Sequence, residues 1–418
     1  MSTWPGIDEI EVDLDFGTDG EMRLGRLTEI QGRPQFEYDP AILQTPVNPS
    51  PITLERTTEK QDGYDSFDGL HPIFSDSQPD GWTRHLVDRR VREAGYNPRD
   101  LGILDRLALV GGNGVGALSY SPAAGLGVEL RRLTVDDLAE IITRVDGGTK
   151  EEIALAERMA GSLGGVRPKS HISSDGVDMS ITPRPDRPGY TPWIMKFPSP
   201  AYDDADAGVV EYAYSNMARA AGIEMPRTKL FESLKGPGFF AAERFDYDAG
   251  RRFHYQSYGG MVGIAPLTGS DYSDLIRVGR QLVDNPEEQL IRRMAFNVLA
   301  ANRDDHVRNH GFLMDSRGSW RLAPAFDLTF SPQTGHAMAV GGLHTKPRLF
   351  NMRKAVRDAG ADDGGVARLV KEVRDVVREW PTFAKDAGVP PKRAEAIMDE
   401  IVRSDPPDPR GMQLGLSR

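Results

Sequence analysis

The residues best suited to chemistry lie in one short stretch, NRDDHVRNH, at positions 302–310. It places two Asp, two His and two Asn within nine residues. So many carboxylate, imidazole and amide groups are costly to bury unless they pair with one another or coordinate a ligand. The stretch therefore predicts a loop whose side chains pair with one another or coordinate a ligand.

A zinc hydrolase is one interpretation of this loop. His306 and His310 form an H-x-x-x-H pair, which binds zinc when both lie on one face of a helix. The preceding amphipathic pattern, however, predicts a helix that ends by Asn302, and Val307 stands where an H-E-x-x-H motif carries its general-base Glu. The pattern therefore favours zinc-dependent hydrolysis less than phosphoryl transfer, the second interpretation.

Phosphoryl transfer is the second interpretation. A protein kinase needs an Asp that accepts the proton of the substrate hydroxyl, an Asn five residues later that binds magnesium, then a hairpin and a second metal-binding Asp. Asp304 and Asn309 have this spacing, and Asp327 follows the predicted hairpin GFLMDSRGSWRLA. Carboxylate and amide oxygens suit Mg²⁺ rather than a soft metal. Each residue alone could simply cap a turn or a helix, but the ordered set favours function.

The upstream sequence contains the parts that would bind ATP phosphates. Lys196 lies in the predicted strand WIMKF, on the face opposite Trp193, Met195 and Phe197, where it either contacts phosphates or extends into solvent. Glu211 in the following helix is either the partner of that Lys or a residue that favours a helix N-terminus. The segment GSLGG at 161–165 can bring backbone N–H groups close to phosphates, although glycines alone are weak evidence.

Composition limits the other possibilities. The chain has 418 residues, a net charge of −11 and no Cys, which excludes disulfides, thiolate nucleophiles and Cys-ligated zinc. The negative charge argues against nucleic-acid binding by the whole surface. The acidic N-terminus does not resemble a signal peptide, and no apolar run is long enough to cross a bilayer. We therefore expect a cytoplasmic protein that does not contact a membrane.

The elements that must position these residues follow from periodicity. Alternation in IDEIEVDLDFG predicts a strand, and MRLGRLTEIQGRPQFEYDP predicts a hairpin. The apolar stripe of NPEEQLIRRMAFNVLAAN predicts the helix that leads into the 302–310 loop, and GVARLVKEVRDVVREW predicts another helix. The Pro-rich stretch SITPRPDRPGYTP from Ser180 predicts a loop.

At this point the chain resembles the HipA-like serine/threonine kinases of bacterial toxin–antitoxin systems. In the second half the resemblance rests on GSLGGVRPK, WIMKF, AAERFDY, the D-x-H-x-x-N of the loop and APAFDLTFS. In the first half it rests on LGRLTEIQGRPQFEYDPAIL, FDGLHPIFSDSQPDG and VGGNGVGAL. Two departures stand out. Arg167 and Pro168 replace a common Gln-Glu, and QPDG stands in place of an LPEG-like stretch.

The resemblance implies roles for individual residues. Asp304 would be the catalytic base, Asn309 and Asp327 the Mg²⁺ ligands, and Lys196 an ATP-phosphate ligand. His306 would be a structural part of the loop.

The resemblance also implies roles in the ATP-binding lobe. Gly164 and Gly165 would contact the nucleotide together with Ser162, which matches a serine that the family autophosphorylates. Glu243 and Phe245 would form the hinge that contacts adenine through backbone groups.

The expected fold is α+β and protein-kinase-like, with two lobes. We predict a β-rich N-terminal region at 1–125, an ATP-binding lobe at 126–246 and a mostly helical catalytic lobe at 247–418. The expected reaction is transfer of the ATP γ-phosphoryl group to Ser or Thr of a protein. The resemblance implies a target such as an aminoacyl-tRNA synthetase, and a helix-turn-helix antitoxin that carries the DNA contacts. A small-molecule phosphotransferase and a non-catalytic binding module with the same fold remain alternatives.

Overall fold

The structure is a computed structural model. It describes residues 3–124, 134–143, 148–165, 167–175, 179–180, 189–199, 203–266 and 268–405. The chain divides into two compact units: unit 1 comprises 1–208, 226–266 and 310–323, and unit 2 comprises 209–225, 267–309 and 324–418. Every named strand of the described residues lies in unit 1, whereas unit 2 is built from helices. The predicted α+β fold class is thereby confirmed.

The first sheet of unit 1 is antiparallel, with the strand order β4-β3-β2-β1-β5. Its strands are β1 (Glu9–Asp15), β2 (Glu21–Ile30), β3 (Arg33–Tyr38), β4 (Gln61–Asp62) and β5 (Leu118–Ser121). The predicted hairpin is present as β2 and β3, joined by Gln31 and Gly32, both with positive φ, as a two-residue turn of this kind requires. Ile10, Val12 and Leu14 of β1 are fully buried, which confirms the alternation seen in the sequence.

The second sheet of unit 1 has the order β7-β6-β8-β10-β9 and carries the predicted Lys strand at its centre. Its strands are β6 (Lys169–Ser174), β7 (Met179–Ser180), β8 (Thr191–Lys196), β9 (Thr228–Phe231) and β10 (Phe239–Glu243). Trp193, Met195 and Phe197 are buried on one face, as the sequence predicts.

The described residues of unit 1 also form two small sheets and six α-helices. The strands are β11 (Tyr247–Asp248) with β12 (Arg251–Arg252), and β13 (His254–Ser257) with β14 (Gly311–Met314) and β15 (Trp320–Leu322). The helices are α1 (Pro72–Ser75), α2 (Gly81–Glu93), α3 (Ile103–Val110), α4 (Val135–Thr143), α5 (Lys150–Ala160) and α7 (Tyr258–Val262). The hairpin predicted after the polar loop is β14–β15, and it pairs with β13, a partner that its sequence did not indicate.

Unit 2 is helical. It contains almost all of α6 (Ala207–Ala220), with α8 (Tyr272–Leu282), α9 (Glu287–Leu299), α10 (Leu349–Asp358), α11 (Val366–Val377), α12 (Trp380–Ala387) and α13 (Pro391–Ser404). The rings of Tyr214 and Trp380 meet at 5.0 Å in its core, and the Tyr214 hydroxyl donates to Ala300 O. This bond attaches α6 to the end of α9, the helix that delivers the polar loop.

Three predictions stay open at this level. The domain boundary at 125/126 and most of the Pro-rich loop from Ser180 lie outside the described residues. The boundary at 246/247 likewise stays a prediction. Among the helices that the structure describes, none has the length and apolar character to span a membrane.

Candidate active site

The polar loop that begins at Asn302 follows a change of chain direction at the end of α9, and hydrogen bonds hold this change in place. After α9 ends, Ala301 has φ +54°, and the Asn302 N–H donates to Asn297 O at 3.0 Å. The Asn302 side chain donates to Asn297 Oδ1 at 2.9 Å, and the Ser331 N–H donates to Ala301 O. Hydrogen bonds of both the backbone and a side chain therefore hold the start of the loop.

The two adjacent carboxylates of this loop have opposite environments. Asp305 is buried and accepts three hydrogen bonds, from the Tyr272 hydroxyl, His336 Nδ1 and the Ala337 N–H. Asp304 is 39% exposed, and His306 Nε2 lies 3.9 Å from its carboxylate. A base must reach a substrate proton, and of these two carboxylates Asp304 has the exposure that a base requires. Its role as the base stays a prediction.

Hydrogen bonding around Asp305 explains why that residue has a structural role. Burial and then the charge of Asp305 raise the pKa of Tyr272 well above its usual range, so Tyr272 remains a hydroxyl donor. Asn297 in turn donates to the Tyr272 oxygen at 2.8 Å. A buried carboxylate that accepts three hydrogen bonds positions the backbone beside it.

Asn309 closes the loop onto Asp304. Its side-chain amide donates to Asp304 O at 2.7 Å, and its backbone N–H donates to His306 O. The Arg308 N–H donates to His306 Nδ1, a contact within the loop that agrees with a structural His306. The five-residue spacing found in the sequence is thus a closed turn. Because the Asn309 amide nitrogen is used within it, a metal ion could bind only the amide oxygen.

Asp327 lies in unit 2 with φ +57°, a left-handed conformation that is uncommon for a non-glycine residue. Its side chain is partly buried. Such conformations persist where surrounding structure over-determines them, and they concentrate at functional sites. The donor chemistry of Asn309 and Asp327, one amide and one carboxylate oxygen, fits a hard cation such as Mg²⁺. Within the described part of the chain, no group of three or more His, Asp or Glu side chains has metal-binding geometry.

In unit 1, the glycine-rich segment is held by side chains from elsewhere in the chain. The Gly165 N–H donates to Asp80 Oδ1 at 2.6 Å, and Gly164 O accepts from Lys169 Nζ at 2.5 Å. Gly165 has φ +96°, which only glycine adopts without strain. One N–H that we expected to face phosphates is therefore bonded to Asp80 in this conformation.

Ser162 lies in the same segment and is only 3% exposed. The Val115 N–H donates to its Oγ at 3.1 Å, and a Cβ at Gly114 would lie 3.0 Å from that oxygen. The hydroxyl is enclosed in this conformation, so a kinase could reach it only after the segment moves. The sequence did not indicate this contact between residues 47 positions apart.

The loop that encloses Ser162 is GGNGVG at 111–116, and a buried ion pair holds it. Arg244 donates to Asp246 at 2.6 Å and to Gly114 O at 3.0 Å, while Asp246 accepts from the Gly116 N–H at 2.7 Å. Burial and the Arg244 charge hold the pKa of His171 well below its usual value, so neutral His171 lies beside the Arg244 guanidinium, with Nδ1 at 3.2 Å. In the sequence this stretch contributes only to the family resemblance, and its density of glycines is the signal that could have indicated a closely packed loop.

Lys196 ends β8 opposite Lys169 of β6. Its Nζ lies 5.8 Å from the centroid of the Phe240 ring, within the range of a cation–π contact. Its side chain is half-buried, on the face opposite the core residues of the strand. Its predicted role as a phosphate ligand, and that of Glu211 as its partner, stay predictions.

The predicted hinge residues end β10. The Glu243 N–H donates to Arg227 O at 2.8 Å, and its carboxylate forms two hydrogen bonds with the Arg227 guanidinium. The Phe245 ring packs 5.6 Å from the ring of Tyr255. The amide of Glu243 is thus already used within the sheet, and an adenine contact at this residue would have to use its carbonyl.

A pH-dependent stability is expected from Glu157 of α5. Burial raises its pKa from 4.5 to about 7, against the opposing charges of Arg90 and Arg158. Between these values the folded protein binds more protons than the unfolded chain, so this group makes the protein less stable as pH rises from about 4.5 to about 7. A Glu157→Gln variant should gain stability over the wild type across that window, by up to about 3 kcal/mol at about 1.4 kcal/mol per pKa unit. Urea unfolding at several pH values measures the difference, and a constant difference would contradict the prediction.

Comparison with known proteins decides the family. A family model described as the HipA-like C-terminal domain matches residues 161–406, and one described as the HipA N-terminal domain matches residues 19–121. The chain belongs to the HipA-like family. The first match covers more than half of this HipA-like chain and includes every candidate site residue discussed above.

Individual relatives share only a modest sequence identity with this chain. Two proteins of Sinorhizobium fredii (strain NBRC 101917 / NGR234), named "Putative kinase Y4dM" and "Putative kinase Y4mE", are each 26% identical to this chain. The matches cover 62% and 76% of this chain, and 61% and 73% of those proteins. The chain thus spans less than two thirds of the length of Y4dM.

Among solved structures, the chain is similar to HipA in the Shewanella oneidensis MR-1 complex of HipA, HipB and operator DNA. The TM-score is 0.67 at 14% identity, over 94% of this chain and 96% of that one. At this identity the likeness shows a shared fold.

Proposed function

We propose that this HipA-like protein is an ATP-dependent serine/threonine protein kinase that acts as the toxin of a toxin–antitoxin module. The observation that carries the proposal is the division of roles in the 302–310 loop. Asp305 is buried among three donors, whereas Asp304 is exposed and its carbonyl is bound by Asn309. A kinase catalytic loop needs one accessible base beside a rigidly held metal-ligating amide. The two relatives named as putative kinases support the same reaction.

In this proposal Asp304 accepts the proton of the substrate hydroxyl while that oxygen attacks the γ-phosphorus of ATP. The bond from the γ-phosphorus to the β–γ bridging oxygen breaks, and ADP leaves. Mg²⁺, when bound, neutralises charge on the phosphates. Asn309 and Asp327 would hold it, and Lys196 would bind phosphate oxygens as a point charge. Gly164, Gly165, Glu243 and Phe245 would complete the nucleotide site. The substrate would be a protein such as an aminoacyl-tRNA synthetase.

The proposed partner is a small helix-turn-helix antitoxin that would carry the DNA contacts. Support comes from the Shewanella HipA structure, which contains HipB and operator DNA. The net charge of −11 on this chain agrees with DNA contact through a partner rather than directly.

The decisive experiment uses full-length protein, γ-labelled ATP and a cell lysate of the source organism, followed by mass-spectrometric mapping of the labelled residues. We expect label on Ser or Thr of a small set of proteins, and none with the Asp304→Ala variant. Label confined to small molecules would indicate a small-molecule phosphotransferase. An absence of transfer by the wild type, with ATP still bound, would indicate a binding module.

Lys196 offers a separate test of nucleotide binding. Replacing it with Met keeps the apolar stem and removes the charge, so ATP affinity measured by calorimetry should fall about tenfold or more, with little change in stability. Lys229→Met is a control on the edge strand of the same sheet. Unchanged ATP affinity in Lys196→Met would mean that Lys196 only extends into solvent.

Ser162 is proposed as an autophosphorylation site that switches the enzyme off. Phosphate on its enclosed Oγ would add about −1.5 to −2 charge and break the Val115 contact, so the segment could not return to this conformation. We expect mass spectrometry to find phosphate at Ser162 in active protein, together with lost ATP binding, and none in Asp304→Ala. The Ser162→Ala variant should keep its activity during prolonged incubation with ATP. An unmodified Ser162 in protein that phosphorylates other substrates would count against this switch.

A further inference from the structure

Unit 1 contains a second candidate site, formed by α2, the turn after it and α3. A cavity of about 450 Å³ opens here, and four arginines line it together with Asp88 and Asn97. The arginines are Arg84, Arg92, Arg99 and Arg106. None of these residues belongs to the proposed kinase machinery.

One arginine of this cavity is buried and the other three are exposed. Arg106 is buried, donates to Asp88 Oδ1 at 2.8 Å and donates to Pro98 O at 3.3 Å. Arg84, Arg92 and Arg99 are exposed, and among the described residues their side chains have no carboxylate within ion-pair distance. Three charged groups are therefore available to a ligand.

The arginines of this cavity outnumber its carboxylates. Arg84, Asp88 and Arg92 recur every four residues and so share one face of α2, where Asp88 lies between the two arginines and already accepts a hydrogen bond from Arg106. Four arginines and one aspartate give the cavity a net charge of +3 in a protein whose total is −11. A local excess of positive charge on an acidic protein is expected where function requires it.

The charge and the lining together define the ligand. Arginine forks bind phosphate oxygens in pairs. One phosphate group carries about −1.5 to −2 charge, so it leaves this cavity positively charged, whereas two or three linked phosphates balance it. Among the described residues that line the cavity none is aromatic, so no ring is present on which a base could stack. We propose that this cavity binds an oligophosphate, either free or as the phosphate tail of a nucleotide, and that it recognises the phosphates alone.

The test is calorimetric titration of the full-length protein with pyrophosphate, triphosphate and ADP. The variant is Arg92→Gln/Arg99→Gln, and the matched control is Arg26→Gln/Arg89→Gln, which removes two arginines of unit 1 outside the cavity. Lys196→Met is titrated in parallel, because the proposed ATP site also binds phosphates. We expect a saturable pyrophosphate site whose Kd rises at least tenfold in the cavity variant and stays within twofold in the control and in Lys196→Met.

Other results would overturn the proposal. One such result is a pyrophosphate Kd that is unchanged in the cavity variant, and another is a loss of pyrophosphate binding only in Lys196→Met. A third is binding of ADP that depends on the cavity arginines and is ten times tighter than the binding of triphosphate. Tight binding of a DNA duplex without pyrophosphate binding would identify a nucleic-acid surface instead. If the cavity variant does not fold, wild-type protein modified with phenylglyoxal gives the answer. Pyrophosphate should protect Arg92 and Arg99 from the reagent while Arg89 still reacts, and equal labelling of Arg92 and Arg99 with and without pyrophosphate would refute the site.

Discussion

Replacing Asp304 with Ala is expected to lower phosphoryl transfer about 10²–10⁴-fold while the free energy of unfolding changes little. The carboxylate is partly exposed, and the bond that closes the loop goes to its backbone oxygen, which alanine retains. Turnover with γ-labelled ATP and urea unfolding measure the two quantities. Asp327→Ala should also lose transfer, but with a larger loss of ATP affinity, because Asp327 rather than Asp304 is proposed to hold the metal.

Asp305 provides the matched control for this experiment, since it differs from Asp304 in environment and not in chemical type. Asp305→Ala leaves Tyr272, His336 and the Ala337 N–H without their acceptor and should destabilise the protein by at least about 1–3 kcal/mol. The expected pattern is therefore lost activity with retained stability at 304, and lost stability at 305. Wild-type turnover in Asp304→Ala would refute the assignment of the base.

The second large effect is expected at Asp246. Its side chain and that of Arg244 are each 1% exposed, and removing one member of a buried ion pair leaves the other charge without compensation. Asp246→Ala should destabilise the protein by about 3–5 kcal/mol in urea unfolding. It should also loosen the 111–116 loop, because the Gly116 N–H loses its acceptor.

Two variants separate this explanation from a general effect of losing a carboxylate. Asp248 lies two residues after Asp246, and Asp248→Ala breaks its exposed pair with Arg251. This variant should change stability by less than about 0.5 kcal/mol. The double replacement Arg244→Met/Asp246→Leu should be less destabilising than Asp246→Ala, since it removes both charges. A loss of unfolding free energy below about 1 kcal/mol for Asp246→Ala would show that the Arg244–Asp246 pair contributes little to stability.

The sequence by itself predicted several elements that depend on local patterning. Alternation located β1 and the β2–β3 hairpin, and apolar stripes located α9 and α11, because side-chain direction repeats along a strand or helix. Spacing also selected Asp304, Asn309 and Asp327 as one ordered set. A closed turn between Asp304 and Asn309 is local, so the sequence could indicate it and the structure contains it.

Contacts between distant segments were decided only by the tertiary structure. Adjacent Asp304 and Asp305 are chemically identical in the sequence, and only Tyr272 and His336 make one of them structural. Ser162 is enclosed by Val115, and Arg106 of α3 meets Asp88 of α2 at the arginine-lined cavity. Periodicity reports which face a residue occupies within its own element. The packing of the whole chain determines which other element covers that face. This packing therefore decided the environment of each charged group.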